Sequence, residues 1–236
     1  MQELIGLIIP GSLALIMFGM GMGLTVHDFS RLVIQPKAIS IGLICQIVML
    51  PLIALLLIEL FPMPPIYAVG VMLIALTPGG AVSNLFVLLA RGDVALSVTL
   101  TACSSLLAVF TVPVLLNLAL IYLLGEGQVI QLPVVKTMLQ IALLTVIPVT
   151  LGMIVNAQVP ELTRRFAGAV RVLSLLFLLV AIGGIIARER DNLILLLTSA
   201  GPPALLLNCV TMVFGLAVAR FARLTPPQVI TITVEV

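Results

Sequence analysis

Charge is what this sequence has least of. Only 8% of its 236 residues are Asp, Glu, Lys or Arg, whereas 62% are hydrophobic and the mean hydropathy is +1.36. A soluble domain normally carries charge on about a quarter of its residues, because polar groups must cover its outside. That class is excluded, and lipid must face most of the surface. The chain has one histidine, His27, and no tryptophan. Without a second histidine, paired acids or a nucleophile–base set, it lacks the parts of a catalytic site, and no enzyme and no cofactor is expected. The three cysteines, Cys45, Cys103 and Cys209, stand singly in apolar runs with no metal-ligand spacing and read as packing residues. A net charge of +2, spread over single or paired basic residues, provides no field for nucleic acid. No basic segment precedes the first apolar run, so a cleavable signal peptide is not expected.

What the chain has instead is apolar runs long enough to cross about 30 Å of hydrocarbon as helix. They are Leu4–Val26, Ala38–Leu60, Ile66–Ala90, Val94–Leu124, Pro133–Val155, Ala167–Ala187 and Leu193–Ala219, with an eighth opening at Pro226 and cut off at Val236. The runs are continuous, whereas barrel strands alternate in and out. Helix is the remaining way to satisfy every backbone amide in lipid. The expected fold class is therefore an all-α polytopic membrane protein.

Basic residues set the expected orientation. Arg31, Lys37, Arg91, Arg164, Arg165, Arg171, Arg220 and Arg223 fall on one side, and Lys136, Arg188 and Arg190 on the other. The first side is assigned to the cytoplasm and the N-terminus to the outside. His27 and Asp28 are placed in the first loop, and Arg188-Glu189-Arg190-Asp191 in an interfacial one.

An internal echo recurs at an offset of five spans. Gly19, Gly21 and Gly23 correspond to Gly183-Gly184, Gln46 to Asn208, and the break at Thr77-Pro78-Gly79-Gly80 to the run Ile230–Glu235. An odd offset inverts the second copy, and inverted repeats with broken helices at the midplane mark transporters.

The most informative segment is Thr77-Pro78-Gly79-Gly80-Ala81-Val82-Ser83-Asn84, in the middle of the third run. Proline removes a donor and crowds the preceding turn, and two glycines make continued helix costly. Two half-helices with an unwound joint are predicted, the second opening near Ser83 with its amides turned to an anion. In the fourth run Ser97, Thr101 and Ser105 recur every four residues, a stripe of hydroxyls on one face. With Ser83 and Asn84 they offer the oxygens that hard cations take. An acid within a span marks function by default, and Glu235 is the candidate; Gln46 is the other polar residue of interest.

In order, Met17-Phe18-Gly19-Met20-Gly21, Asp28-Phe29, Pro36-Lys37, Gln46 with Pro51, Pro78-Gly79-Gly80, Ser83-Asn84 and Ala90-Arg91-Gly92-Asp93 through Ser97 and Thr101 to Pro113 resemble the bile acid–sodium symporter family. The resemblance implies an inverted-repeat fold with two discontinuous crossing helices. It further implies a core (spans 38–60, 66–90, 94–124, 193–219 and 226–236) and a panel (spans 4–26, 133–155 and 167–187). It implies sodium as coupling ion, with one site made by Ser83, Asn84, Ser97, Thr101 and Glu235 and a second by Gln46, Glu235 and the Val236 carbonyl. The substrate is a small organic anion, bile-acid-like or another carboxylate, at Pro78, Gly79, Gly80 and Ala81. Relatives often carry a hydroxyl where Ala81 stands, and many have a further helix ahead of the first span. Their second crossing helix continues beyond the position of Val236, so the expectation is a C-terminally truncated member. The membrane is expected to be a bacterial inner membrane, with a plastid envelope as the other location. Sodium symport is the leading reading; a sodium-independent or proton-coupled anion carrier and a non-transporting truncated remnant are the alternatives.

Overall fold

The computed structural model describes the backbone of residues 2–61, 63–124, 133–188, 190 and 192–236; the side chains of 2–9, 12, 31, 32, 81 and several positions of 162–196 lie outside the description. In chain order the helices are α1 (Gln2–Met22), α2 (Val26–Ile34), α3 (Pro36–Ile44), a π-bulge (Cys45–Met49), α4 (Leu50–Leu60), α5 (Pro65–Leu76), α6 (Ala81–Leu89), α7 (Val94–Leu124), α8 (Val134–Gln158), α9 (Pro160–Arg188), α10 (Leu193–Ser199), α11 (Gly201–Phe221) and α12 (Pro226–Glu235). No strand occurs among the described residues. Among the described residues four helical runs are long and apolar enough to cross a membrane: Pro36–Leu60, Val94–Leu124, Val134–Gln158 and Leu193–Phe221. Large apolar side chains point outward along them, Phe110 at 60% and Leu205 at 71% exposure among them. Together with the composition they make this an integral membrane protein.

Several boundaries differ from the sequence expectation for physical reasons. The first span ends at Met22, and the stretch taken as a loop around His27 and Asp28 is the separate helix α2. Its mixture of Val, His, Asp and Arg hid it from a search for apolar runs. The sixth span begins at Pro160, seven residues early, because a helix does not stop where its charged residues Glu161, Arg164 and Arg165 begin. The seventh is broken at Ala200 into α10 and α11. Pro202 and Pro203 have no N–H to donate back into the preceding turn, so they open a new helix. Of the loop expected at Arg188–Asp191, Glu189 and Asp191 lie outside the described residues.

The chain divides into two compact units. Unit 1 takes residues 1–27 and 139–194, and unit 2 takes 28–138 and 195–236. In unit 1, α1 packs along α9 and meets α8 through glycines. A methyl group on Gly21 would overlap the backbone of Val149, and one on Gly152 would overlap the backbone of Phe18 and Met22. Small residues of this kind let membrane helices touch backbone to backbone. Asn156 Nδ2 also donates to the Leu24 carbonyl at 3.0 Å. Gly183 and Gly184, matched to the α1 glycines in the sequence echo, meet no described atom within 4 Å of an added methyl group.

In unit 2, Ala38, Ile39, Leu96, Leu100, Ala219, Val229 and Ile232 form one core that gathers α3, α7, α11 and α12. Gly42 lets α3 close on α7, since a methyl group would stand 2.7 Å from Leu100 Cδ2 and push that side chain aside. The π-bulge has its cause in Pro51. Lacking an N–H, it cannot bond the Ile47 carbonyl, and its ring crowds that carbonyl, so the helix widens just ahead of it. The Leu50 N–H then reaches back five residues to Cys45 O. Two corners of unit 2 are built alike. After α6, Gly92 N–H donates to Val87 O at 2.8 Å and Arg91 N–H to Leu88 O at 3.1 Å; after α11, Leu224 N–H donates to Ala219 O at 3.2 Å and Arg223 N–H to Arg220 O at 2.9 Å. This is the Schellman pattern, whose left-handed residue is usually glycine. Here it is arginine both times, with φ of 60° at Arg91 and 54° at Arg223, at a cost of about 1 kcal/mol each.

Candidate functional site

The third span breaks at Thr77–Gly80. Thr77 is extended (φ −73°, ψ 140°) and so is Gly80 (φ −110°, ψ 166°), with α5 ending before them and α6 starting after. The joint is the one the Pro-Gly-Gly sequence predicts, except that the second half opens at Ala81 rather than near Ser83. At 12 residues α5 is about 18 Å long, too short to cross alone, so the joint sits inside the membrane. No side chain caps α6, and its first amides are the orphan donors of a helix start. The Ala81 side chain lies outside the description.

Beside the joint, α12 is fixed along α7. Thr225 and Gln228 form a reciprocal capping box at its start. Asp93 N–H donates to Pro227 O at 3.2 Å, and Thr231 Oγ1 lies 3.1 Å from Asp93 O. Gly92 permits this approach, because a methyl group there would meet Thr231 Oγ1 at 3.0 Å and Val87 Cγ1 at 2.8 Å. The result is to hold Glu235, at the far end of α12, against α6 and α7.

Glu235 is 6% exposed, Ser97 0% and Thr101 1%. Ser83 Oγ, from α6, lies 2.9 Å from Glu235 Oε1. Ser97 Oγ, from α7, makes a short contact with the same oxygen and lies 2.5 Å from Asn84 Oδ1. One turn on, Thr101 Oγ1 donates to Glu235 Oε2 at 3.1 Å. Ser83 Oγ is also 2.6 Å from the Gly80 carbonyl at the joint. Thus α6, α7 and α12 bring together Ser83, Asn84, Ser97, Thr101 and Glu235. Gln46, 6% exposed and carried on the π-bulge, comes near the cluster at Gly79. Around a methyl group placed on Gly79 would stand Glu235 Oε2 at 2.6 Å, Gln46 Nε2 at 3.6 Å and Thr101 Oγ1 at 3.7 Å. Val236 is half-buried, with its side chain toward Gly215.

A proton count describes what this cluster can hold. Five oxygen–oxygen contacts are shared by three hydroxyls, Ser83, Ser97 and Thr101, and each hydroxyl has one proton to give. With the Asn84 amide oxygen toward Ser97, at least two contacts lack a proton, and protonating Glu235 adds only one. No described Lys or Arg pairs with the carboxylate, although burying one uncompensated costs several kcal/mol. Surplus lone pairs around one buried carboxylate suit a hard cation, and a single formal negative charge suits a monovalent one. Among the described residues no three His, Cys, Asp or Glu gather into a metal site.

Two features were not legible in the sequence. Of the hydroxyl stripe, Ser97 and Thr101 reach Glu235, whereas Ser105 Oγ is buried without a partner among the described residues. Instead Thr77, Ser104 and Thr111 join Gln46 and Pro78 around a small pocket beside the joint. Ser104 is one residue off the stripe, and only the position of the break shows that its face matters.

The description "Sodium Bile acid symporter family" matches residues 10–195 of the chain. The uncharacterized sodium-dependent transporter YocS of Bacillus subtilis is 32% identical over 95% of this chain and 68% of its own length. The probable sodium/metabolite cotransporter BASS1, chloroplastic, of Arabidopsis thaliana is 30% identical over 95% of this chain and 54% of its own. The human ileal sodium/bile acid cotransporter is 32% identical over 74% and 50%. The chain thus spans about half the length of most of these relatives and about two thirds of YocS. On these matches the chain belongs to the sodium bile acid symporter family, a family of sodium-coupled transporters and not of enzymes.

Proposed function

We propose that this chain acts in secondary active transport, coupling sodium flow to the movement of a small organic anion. The observation that carries the reading is the buried oxygen cluster at Glu235, with more acceptors than protons and no cationic partner among the described residues. One sodium ion is held by Ser83, Asn84, Ser97, Thr101 and Glu235, and a second by Gln46, Glu235 and the Val236 carbonyl. The ion satisfies the surplus lone pairs and braces the joint. The anion, a bile-acid-like molecule or another carboxylate, docks at Pro78, Gly79, Gly80 and Ala81, where the amides and positive dipole end of α6 face it. Sodium ordering the joint and the anion requiring an ordered joint gives reciprocal coupling between the two sites.

Unit 2, which carries the cluster, takes the role of the core, and unit 1 that of the panel. The fold is an inverted repeat in which the α5–α6 joint and α12 form the crossing. The names of YocS and the other relatives support sodium as the coupling ion. The bacterial source of YocS supports a bacterial inner membrane, and the basic residues support an outside N-terminus.

The test uses proteoliposomes with an imposed sodium gradient and a panel of labelled bile acids and short carboxylates. Uptake is expected in sodium and absent in potassium, and Asn84→Ala abolishes it. Equal uptake in potassium medium overturns the reading, and uptake driven by a pH gradient alone selects proton coupling instead.

A further inference from the structure

One end of unit 2 carries positive charge that the transport site does not use. Lys37, Arg91, Arg220 and Arg223 are all exposed. Their chain neighbours place them together. Ala38 and Ala219 lie in the α3/α7/α11/α12 core, Leu224 packs against it, and Gly92 abuts Ile230 and Thr231 of α12. Gln228 Nε2 ties the same end to Gln35 Oε1 at 3.3 Å. Each of the four also lies within three residues of the end of a membrane-crossing run: Pro36, Val94 or Phe221. In a bilayer they stand at the level of the lipid headgroups.

No described carboxylate pairs with any of the four. Asp93, the acid nearest in sequence to Arg91, turns inward and accepts the Leu96 N–H at 3.0 Å to cap α7. Lys37 runs against local preference, since it sits in the first turn of α3, at the positive end of that helix, where a cation is disfavoured. Arg91 and Arg223 further occupy left-handed corner positions that glycine would fill without strain. Orientation in the membrane requires only basic residues somewhere in the loop. A basic side chain at exposed Ala90 would serve that purpose with ordinary backbone. Two identical corners that both place arginine at the strained position point to a ligand for the guanidinium groups.

We infer that this end of unit 2 is a binding surface for anionic lipid, with Arg91 and Arg223 taking headgroup phosphates and Lys37 and Arg220 adding to the field. Guanidinium groups bind phosphate oxygens in a bidentate manner, and basic clusters at the membrane surface attract anionic lipid. Val33 of α2, 84% exposed and four residues ahead of Lys37, adds apolar surface to this end of unit 2. This surface is separate from the oxygen cluster, so its test does not depend on transport.

The whole chain is purified in neutral detergent and melted with added phosphatidylglycerol, with phosphatidylcholine, or with inorganic phosphate alone. Phosphatidylglycerol is expected to raise the melting temperature on the order of 5 °C at saturation, with no comparable rise from the other two. In R91G/R223G, which relieves the left-handed strain, the protein melts at or above the parent temperature in phosphatidylcholine but loses the phosphatidylglycerol response; R91K/R223K keeps most of it. K37Q/R220Q, which touches no left-handed position, reduces the response in part. An undiminished phosphatidylglycerol shift in R91G/R223G, or an equal shift from phosphatidylcholine or phosphate, overturns the inference.

Discussion

Among the described residues the two units bury different things. In unit 1 the close contacts are backbone on backbone, with Gly21 and Gly152 giving α1 and α8 their approach, and the buried polar side chain described there, Thr163, bonds back to Val159 O of the preceding turn. Unit 2 buries Gln46, Ser97, Thr99, Thr101, Ser104, Ser105, Thr211, Thr231 and Glu235. Lipid-facing composition is common to both, so hydrophobicity does not distinguish them. Unit 1 gains by letting helices touch. Unit 2 bears the desolvation of a carboxylate and its hydroxyls, which persists only where something compensates it.

Substitutions can test that contrast. The largest effect is expected from Glu235→Ala, which removes the one carboxylate of the cluster. Taking a charged ligand as worth about 3 kcal/mol, sodium affinity falls by about 100-fold, read as loss of the sodium-dependent rise in melting temperature. Next is Gly152→Val in unit 1, which drives a side chain into the backbone of Phe18 and Met22 and costs about 3 kcal/mol. It should lower the melting temperature yet leave the sodium response of the folded fraction intact; a lost sodium response would mean that the two kinds of interior are not separable. Gly79→Ala in unit 2 reverses that pattern. Its methyl group displaces Glu235 Oε2, and sodium affinity drops by about tenfold, equivalent to 1.4 kcal/mol, with little loss of stability. Ser105→Ala is expected to raise stability by about 1 kcal/mol, since it deletes a buried hydroxyl without a described partner. If sodium binding weakens instead, Ser105 belongs to the ion's shell. The smallest change is Gly183→Ala, where no described atom stands in the way and the helix gains about 0.5 kcal/mol; a destabilised protein would show that this face is covered.

The joint could be read in the sequence because proline and paired glycine act locally, whatever surrounds them. The seventh span's break carries the same kind of signal, Gly201-Pro202-Pro203, but the long apolar run around it masked the punctuation. Helix α2 was missed because a search for apolar runs passes over a short amphipathic segment. For the cluster, spacing put Ser97 and Thr101 on one face of α7, and the resemblance grouped them with Ser83, Asn84 and Glu235. It could not show that Ser105, next in the same series, fails to reach the carboxylate. That depends on where along α7 the docking of α12 places Glu235, and the contacts that fix it, at Gly92 and Thr231, lie well away in sequence from Ser105.

The bulge at Cys45–Met49 has a consequence for how this helix can change. Widening by one residue resets the screw phase by roughly a quarter turn. Residues before it stay meshed with Leu100 through Gly42, while those after it follow a different phase along α5. Gln46 sits on the reset itself. Deleting a single residue within the bulge would remove the reset while leaving Pro51 in place; one half would then be rotated against its neighbours, and the amide at the joint could keep its place only if one of those two seams gave way. The segment can therefore exchange its side chains much more readily than it can change its length.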